Sequence, residues 1–367
     1  MPRILISGYY GFNNAGDDVV LYGIISSLRR EQPNISLSVL SNTPEVTTSL
    51  FGVPAYNRWK LSTIVRELRK SDLLVMGGGT LMQDVTSPRS VLYYLGIVTI
   101  AKMLNKPVVF YAQGFGPILK QMSRFLIKQV VNQVDVITVR DYESGEDFKS
   151  CGVTKAPLYV TADPALTIHP DDIDDQTGLA LISKLFSDLS RPLVAISVRN
   201  WKNEEGFKQA VAKAADFFIE SGWNVLFLPM HYPSDVLPSQ EIISLMNHQE
   251  QAAILSDHLS FHEIMSILKQ CDYVLGMRLH SLILACMLEI PFTGISYDPK
   301  IDRFVERAGM ACAGHITELE GNSLLQLLAG RLRQLEEDRR IIKEKSLLLK
   351  RDAMKSSELV LQALASK

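Results

Sequence analysis

The chain has 367 residues, 47% of them apolar, with 38 Lys and Arg against 40 Asp and Glu for a net charge of -2. That length exceeds one ordinary domain, and the apolar content excludes a disordered chain. No Lys/Arg block stands without interleaved acids, which excludes the broad cationic footprint of a nucleic-acid binder, so any anion site is expected to be local.

The first expected strand is Ile4 to Ser7, followed by the turn Gly8-Tyr9-Tyr10-Gly11-Phe12-Asn13-Asn14-Ala15-Gly16-Asp17-Asp18. GxGxxG is absent here. Gly11 and Gly16 have P-loop spacing, but Asp17-Asp18 stand where Lys-Ser/Thr would be, and two carboxylates at a helix start repel a phosphate. Asn13, Asn14 and Asp17 suit hydroxyls instead, as hydrogen-bond partners or, for Asp17, as a base. Both acids also fit a plain role against the helix dipole, worth about 0.3 to 1 kcal/mol each.

Further strands of the first series are expected at Ser36 to Leu40, Leu73 to Met76, Val108 to Tyr111, Val136 to Val139 and Leu158 to Val160. Their ends carry Gly77-Gly78-Gly79-Thr80, Gln113-Gly114-Phe115-Gly116-Pro117, Arg140-Asp141 and, a little later, Asp163-Pro164. Glycine there permits close backbone approach or a plain tight turn. The Arg-Asp pair reads as structural. Between them, the apolar run Val91 to Leu104 contains Lys102 and falls short of the roughly 20 residues that span a bilayer.

A second series begins after the acidic stretch Asp171 to Asp175, with strands at Leu193 to Val198, Asn224 to Leu228, Ala253 to Leu255, Tyr273 to Leu275 and Phe292 to Ile295. Helices such as Glu205 to Ser221 and Phe261 to Gln270 separate them. Alternation of this kind predicts parallel sheets, hence an α/β protein of two Rossmann-like domains, residues 1–170 and 171–321. From Asn322 to the end, leucines and isoleucines at helical spacing among both charge signs predict bracing helices.

The second series ends its strands on related chemistry: Arg199, His231, Arg278 with His280, and Lys300 after Tyr297-Asp298. Parallel strands bring their carboxyl ends to one edge, where these groups would suit a small dianion or trianion. In Gly276-Met277-Arg278-Leu279-His280-Ser281, two helical residues at i and i+2 point nearly opposite ways, so Arg278 shares a ligand with His280 only from the turn. The alternative makes Arg278 a cap and His280 a satisfied core histidine. No HExxH, carboxylate cluster, CxxC or GxSxG occurs, so no metal and no cofactor is expected. The four widely spaced cysteines are expected reduced. The N-terminus opens as a strand without signal-peptide regions, from which a cytoplasmic protein is expected.

Taken in order, Gly8 to Gly11 through Gly16-Asp17, Gly77-Gly78-Gly79, Gln113 to Pro117, Val139-Arg140-Asp141, Asp163-Pro164 and Gly276 to Ser281 resemble the polysaccharide pyruvyl transferase family, and within it the bacterial cell-wall polymer pyruvyltransferases of the CsaB type. The resemblance implies a glycosyltransferase B type fold, with the two domains facing each other across a cleft. It also implies transfer of pyruvate from phosphoenolpyruvate, as a 4,6-ketal, to a sugar such as N-acetylmannosamine in a lipid-linked cell-wall precursor. Ketals of that kind anchor surface-layer proteins.

On that reading Arg278, Arg199 and Lys300 bind phosphoenolpyruvate through charge-assisted bonds of about 1.5 to 3 kcal/mol each. His280 is the expected general acid, His231 its runner-up and Asp17 the base, with Asn13, Asn14 and Gln113 on the acceptor side. A nucleotide-sugar glycosyltransferase and a non-catalytic glycan-binding protein are the alternatives. The helix Arg331 to Lys355 and the run Val91 to Leu104 are expected as a solvated and a core helix, with peripheral membrane contact the alternative for both.

Overall fold

The computed structural model describes residues 1–84, 88–201 and 204–366. It divides into two compact units, the first comprising residues 1–12, 17–168 and 349–367 and the second residues 13–16 and 169–348. Lys367, the last residue of the expected tail, lies outside the described residues.

In chain order the first unit holds β1 (Arg3–Ser7), α1 (Ala15–Glu31), β2 (Ser36–Ser41), α2 (Pro44–Phe51), β3 (Ala55–Asn57), α3 (Leu61–Lys70), β4 (Leu73–Met76), β5 (Gly79–Met82), α4 (Pro88–Met103), β6 (Val108–Phe115), α5 (Gln121–Val131), β7 (Val136–Val139), α6 (Tyr142–Ser150) and β8 (Leu158–Val160). All pairings are parallel, in the order β3-β2-β1-β4-β6-β7-β8, with β5 added onto β6. The central strands are apolar throughout: Ile4 to Ile6, Leu73 to Met76 and Val108 to Phe110 are fully buried, as a sheet covered on both faces requires.

Two strands here escape the sequence pattern. β3 is three half-buried residues, and β5 begins on Gly79 within what reads as a glycine turn. The pairing of Gly79 with Gln113 and Met82 with Phe115 carries β6 four residues past its expected end at Tyr111, so Gln113 to Phe115 are strand and not loop.

The second unit holds α7 (Asp175–Ile182), β9 (Leu193–Ser197), α8 (Gly206–Glu220), β10 (Asn224–Phe227), α9 (Val236–Ser244), β11 (Ala252–Ile254), α10 (Phe261–Leu268), β12 (Tyr273–Gly276), α11 (Leu279–Met287), β13 (Phe292–Ser296), α12 (Pro299–Arg307), β14 (Ala311–His315) and α13 (Gly321–Arg333). Its sheet is parallel, in the order β11-β10-β9-β12-β13-β14. The edge strand β14, Ala-Cys-Ala-Gly-His, has too little branched or aromatic content to be read from sequence. Local signals set the helix starts: Ser260 and Glu263 form a reciprocal capping box on α10, and Asp298 accepts from Lys300 N at 3.1 Å to open α12.

The last helix, α14 (Leu335–Ala365), begins in the second unit and ends in the first. In its final part Ser356 Oγ is buried against Thr138 Oγ1 and Thr161 Oγ1, each at 3.0 Å, which fastens it beside β7.

Candidate active site

Counting only its own strands, the second sheet runs 3-2-1-4-5-6, the order in which ligands bind outside the carboxyl ends where strand 1 meets strand 4. Here that switch point lies between β9 and β12. Arg199 follows β9, and Arg278 with His280 follow β12, so they flank it. His231 follows β10 and Lys300 opens α12 after β13, which puts all five on four neighbouring strands.

Arg278 is the N-cap of α11 with extended backbone, φ -77° and ψ 121°, so it remains in the turn while His280 stands in the first helical turn. Its charge is not spare, however. Nε donates to Asp235 Oδ2 at 2.8 Å and Nη2 to Asp235 Oδ1, a two-point pair with a fully buried carboxylate. Asp235 Oδ2 also accepts from His231 N at 3.0 Å. One acid thus ties together the loops that follow β10 and β12. Sequence reading missed Asp235, although an acid four residues after His231 was its visible signal.

His280 is half-buried against residues 13–16. A Cβ built on Gly16 would come within 2.2 Å of His280 Nδ1, so the imidazole occupies space that only glycine leaves. Ala15 N donates to Met230 O at 3.2 Å, and Asn14 bridges His231 in antiparallel fashion. Asn14 Oδ1 accepts from Gly16 N at 3.2 Å, while Asn13 is exposed with φ 55°. The two asparagines, assigned from sequence to the acceptor side in the first domain, therefore belong to the second unit, with Asn14 beside His231. The chain thus meets the loop after β10 at the very start of α1.

Arg199 sits between two rings, 4.9 Å from the Tyr297 centroid and 5.2 Å from that of Trp201. It donates to Tyr297 Oη at 3.2 Å and to Asn200 O at 3.3 Å. Among the described residues no carboxylate pairs with it. Lys300 shares the Tyr297 ring at 5.5 Å but pairs with Asp298 at 3.2 Å. Of the three expected cations, two are thus neutralised by neighbours, which leaves Arg199 as the one whose charge is held by aromatic faces.

In the first unit the equivalent switch point lies between β1 and β4, with the loops Gly8 to Phe12 and Gly77 to Gly79. Tyr10 fills it from within. Cβ atoms on Gly77 and Gly8 would stand 1.9 Å and 2.7 Å from the Tyr10 hydroxyl, so these glycines are required by a buried ring. Asp17 lies in the first turn of α1, with Oδ1 3.4 Å from the Cβ position of Gly79. Burial, followed by the Asp17 carboxylate, pushes the Tyr10 phenol well above its usual value. Burial raises the neighbouring Asp18 carboxyl to about 7.

Gln113, expected on the acceptor side, lies inside the first unit. It is fully buried, and Nε2 donates to Met76 O at 3.1 Å and to Gly77 O, fixing the turn after β4. Arg58, unremarkable in sequence, is buried among Phe12, Trp59, Tyr93 and Tyr94 and donates to Gly8 O at 2.8 Å. Arg140 is structural, buried against Asp163 at 3.4 Å, while Asp141 and Asp163 cap the turns that follow them.

Residues 14–299 match the family model of polysaccharide pyruvyl transferase. The chain belongs to the polysaccharide pyruvyl transferase family. It is therefore a transferase whose chemistry is pyruvyl transfer to a polysaccharide. Among curated relatives, this family member is 21% identical to the amylovoran biosynthesis protein AmsJ of Erwinia amylovora, over 91% of this chain and 93% of that one. Among solved structures it resembles Anabaena HepE in complex with UDP-glucose, with TM-score 0.68, 10% identity and all of both chains covered. The UDP-GlcNAc 2-epimerase of Neisseria meningitidis bound to UDP-GlcNAc gives TM-score 0.68 at 12% identity, again over all of both chains. At such identities the likeness is one of fold, and the fold of this transferase is of the glycosyltransferase B type with two Rossmann-like domains. Among the described residues of the transferase, no helix is long and apolar enough to cross a membrane.

Proposed function

We propose that the protein transfers pyruvate from phosphoenolpyruvate to an aminosugar of a lipid-linked cell-wall glycan, such as N-acetylmannosamine, as a 4,6-ketal, without metal or cofactor. The observation that carries this reading is the strand order of the second sheet, which brings Arg199, His231, Arg278, His280 and Lys300 to the switch-point edge. Phosphoenolpyruvate is compact and highly charged. An aromatic-held Arg199 beside a rigid Arg278–Asp235 pair suits its phosphate and carboxylate, and Lys300 adds a third donor.

In this mechanism a sugar hydroxyl attacks the enol carbon while His280 protonates the methylene, which becomes the ketal methyl. The C–O bond to phosphate then breaks. The second sugar hydroxyl closes the ring, and its proton leaves with phosphate or buffer. His231 stands as the alternative acid, its backbone fixed by Asp235. Asp17 is the proposed base for the acceptor hydroxyl. The likeness to UDP-sugar proteins raises the nucleotide-sugar reading, which the family assignment disfavours.

The deciding experiment is incubation with phosphoenolpyruvate and a defined lipid-linked N-acetylmannosamine acceptor, following phosphate release and the ketal methyl signal by NMR. Phosphate release together with a new methyl singlet supports the reading. Transfer from a UDP-sugar with no use of phosphoenolpyruvate overturns it.

A further inference from the structure

Residues 85–134 contain no Asp or Glu, although the chain carries 40, and they hold Arg89, Lys102, Lys106, Lys120, Arg124 and Lys128. Spread so thinly, these cations form no block in the sequence. The fold of the first unit gathers them, because α4 packs against α5 and the loop from Pro117 to Lys120 lies at the start of α5. The exposed positions of α4 are Arg89, Leu92, Gly96, Thr99 and Met103, spaced three and four apart, so they form one stripe.

The same face is unusually apolar. Leu92 is 51% exposed, Leu119 73%, Met122 66% and Phe125 56%. Lys120, Arg124 and Lys128 stand exposed among them, and none forms an ion pair with a carboxylate among the described residues. The acids that bound the segment are already engaged. Asp84 is buried beneath the loop, accepting from Leu119 N at 2.7 Å and Lys120 N at 3.0 Å, and Asp135 holds Lys102 at 2.8 Å.

We infer that this face, the exposed sides of α4 and α5 with the Leu119–Lys120 loop, docks the protein on an anionic lipid surface. Exposed Leu, Met and Phe side chains interleaved with Lys120, Arg124 and Lys128 suit the boundary between headgroups and acyl chains, where the apolar groups insert and the cations meet lipid phosphates. A second copy of the chain is a poorer occupant. Two-fold pairing of a face with cations and no free acid sets like charges against each other. Leu119, Met122 and Phe125 also lie at the carboxyl end of β6, the edge that carries the first unit's switch-point loops, so an acceptor held in a bilayer would be presented to that edge. The inference stands on the face itself and does not depend on the identity of the donor or acceptor.

The test is flotation of the full chain with vesicles of phosphatidylcholine alone and of phosphatidylcholine mixed with phosphatidylglycerol. The protein is expected to float with the mixed vesicles at low salt and far less with the neutral ones. Arg124→Glu with Lys128→Glu should weaken that binding by about 30-fold or more, at about 1 kcal/mol per cation removed with reversal adding to it. Met122→Ser with Phe125→Ser should weaken it while leaving the salt dependence in place. Unchanged melting temperatures would show that these surface variants fold. Equal flotation by wild type and charge-reversed protein overturns the inference, as does a dimer, seen by light scattering, that Phe125→Glu dissociates while vesicles bind neither form.

Discussion

Arg278 and Asp235 form a two-point ion pair that joins the turn after β12 to the start of α9, with the carboxylate fully buried and the guanidinium side chain 15% exposed. Asp235 also receives the His231 amide. Under the proposed function the donor site has a rigid floor, because the cation is oriented by a buried partner.

Asp235→Ala should therefore cost about 3 kcal/mol of stability, since it leaves a largely buried cation uncompensated and an amide without its acceptor. Urea denaturation measures this. The same substitution should raise the KM for phosphoenolpyruvate, and Arg278→Lys should do so with a smaller loss of stability, because a point charge cannot satisfy both carboxylate oxygens. An Asp235→Ala protein with unchanged unfolding and unchanged KM would show the pair to be incidental.

Arg199 behaves differently because its neighbours are Tyr297, Trp201 and the Asn200 carbonyl. Arg199→Ala should fold normally and raise the KM for phosphoenolpyruvate by about 10- to 100-fold, the loss of one charge-assisted bond of about 1.5 to 3 kcal/mol. Tyr297→Phe keeps the ring and removes the hydroxyl, so its effect should be smaller. Steady-state kinetics with phosphate detection separates the two.

Much of this is legible in the sequence, for a specific reason. Buried parallel strands are continuous apolar runs, so β9, β10, β12 and β13 announce themselves, and whatever follows them must lie at one edge. What stayed hidden depends on pairings distant in sequence. Arg278 looks like spare charge until Asp235, 43 positions earlier, is seen beneath it. Gln113 looks like a loop residue until β5 pairs with the end of β6 and buries it. Arg58 gives no sign of its aromatic box, because Phe12 and Tyr94 come from other segments. Asn14 was misplaced because a four-residue excursion to the second unit leaves no mark on composition.

Asp18 offers a pH test. Its folded carboxyl titrates at about 7, raised by burial from an ordinary 3.8. Between those values the folded protein holds a proton that the unfolded chain has released, so this group's contribution to stability falls as pH rises through the window. Asp18→Asn removes the titration. The variant should match the wild type near about pH 4 and exceed it by about 1 to 3 kcal/mol near about pH 8. Denaturation curves at both values give the comparison, and a difference that does not change with pH would place the Asp18 carboxyl in its ordinary range.

The sharpest test of His280 leaves the histidine in place. Gly16 has an ordinary backbone conformation for any L residue, so Gly16→Ala carries no backbone strain, yet its methyl would meet Nδ1 at 2.2 Å and must displace the ring. If His280 protonates the enol, a misplaced imidazole should lower kcat by about 100-fold or more with little change in the Kd of phosphoenolpyruvate, close to the effect of His280→Ala. The double variant should then be no worse than either single one, because both remove the same proton transfer. If Gly16→Ala keeps full turnover while His280→Ala does not, ring placement is not what the glycine protects. If both keep it, His280 is not the acid, the role passes to His231 as the next candidate, and Gly16 is small only to let residues 13–16 pass close to the loop after β10.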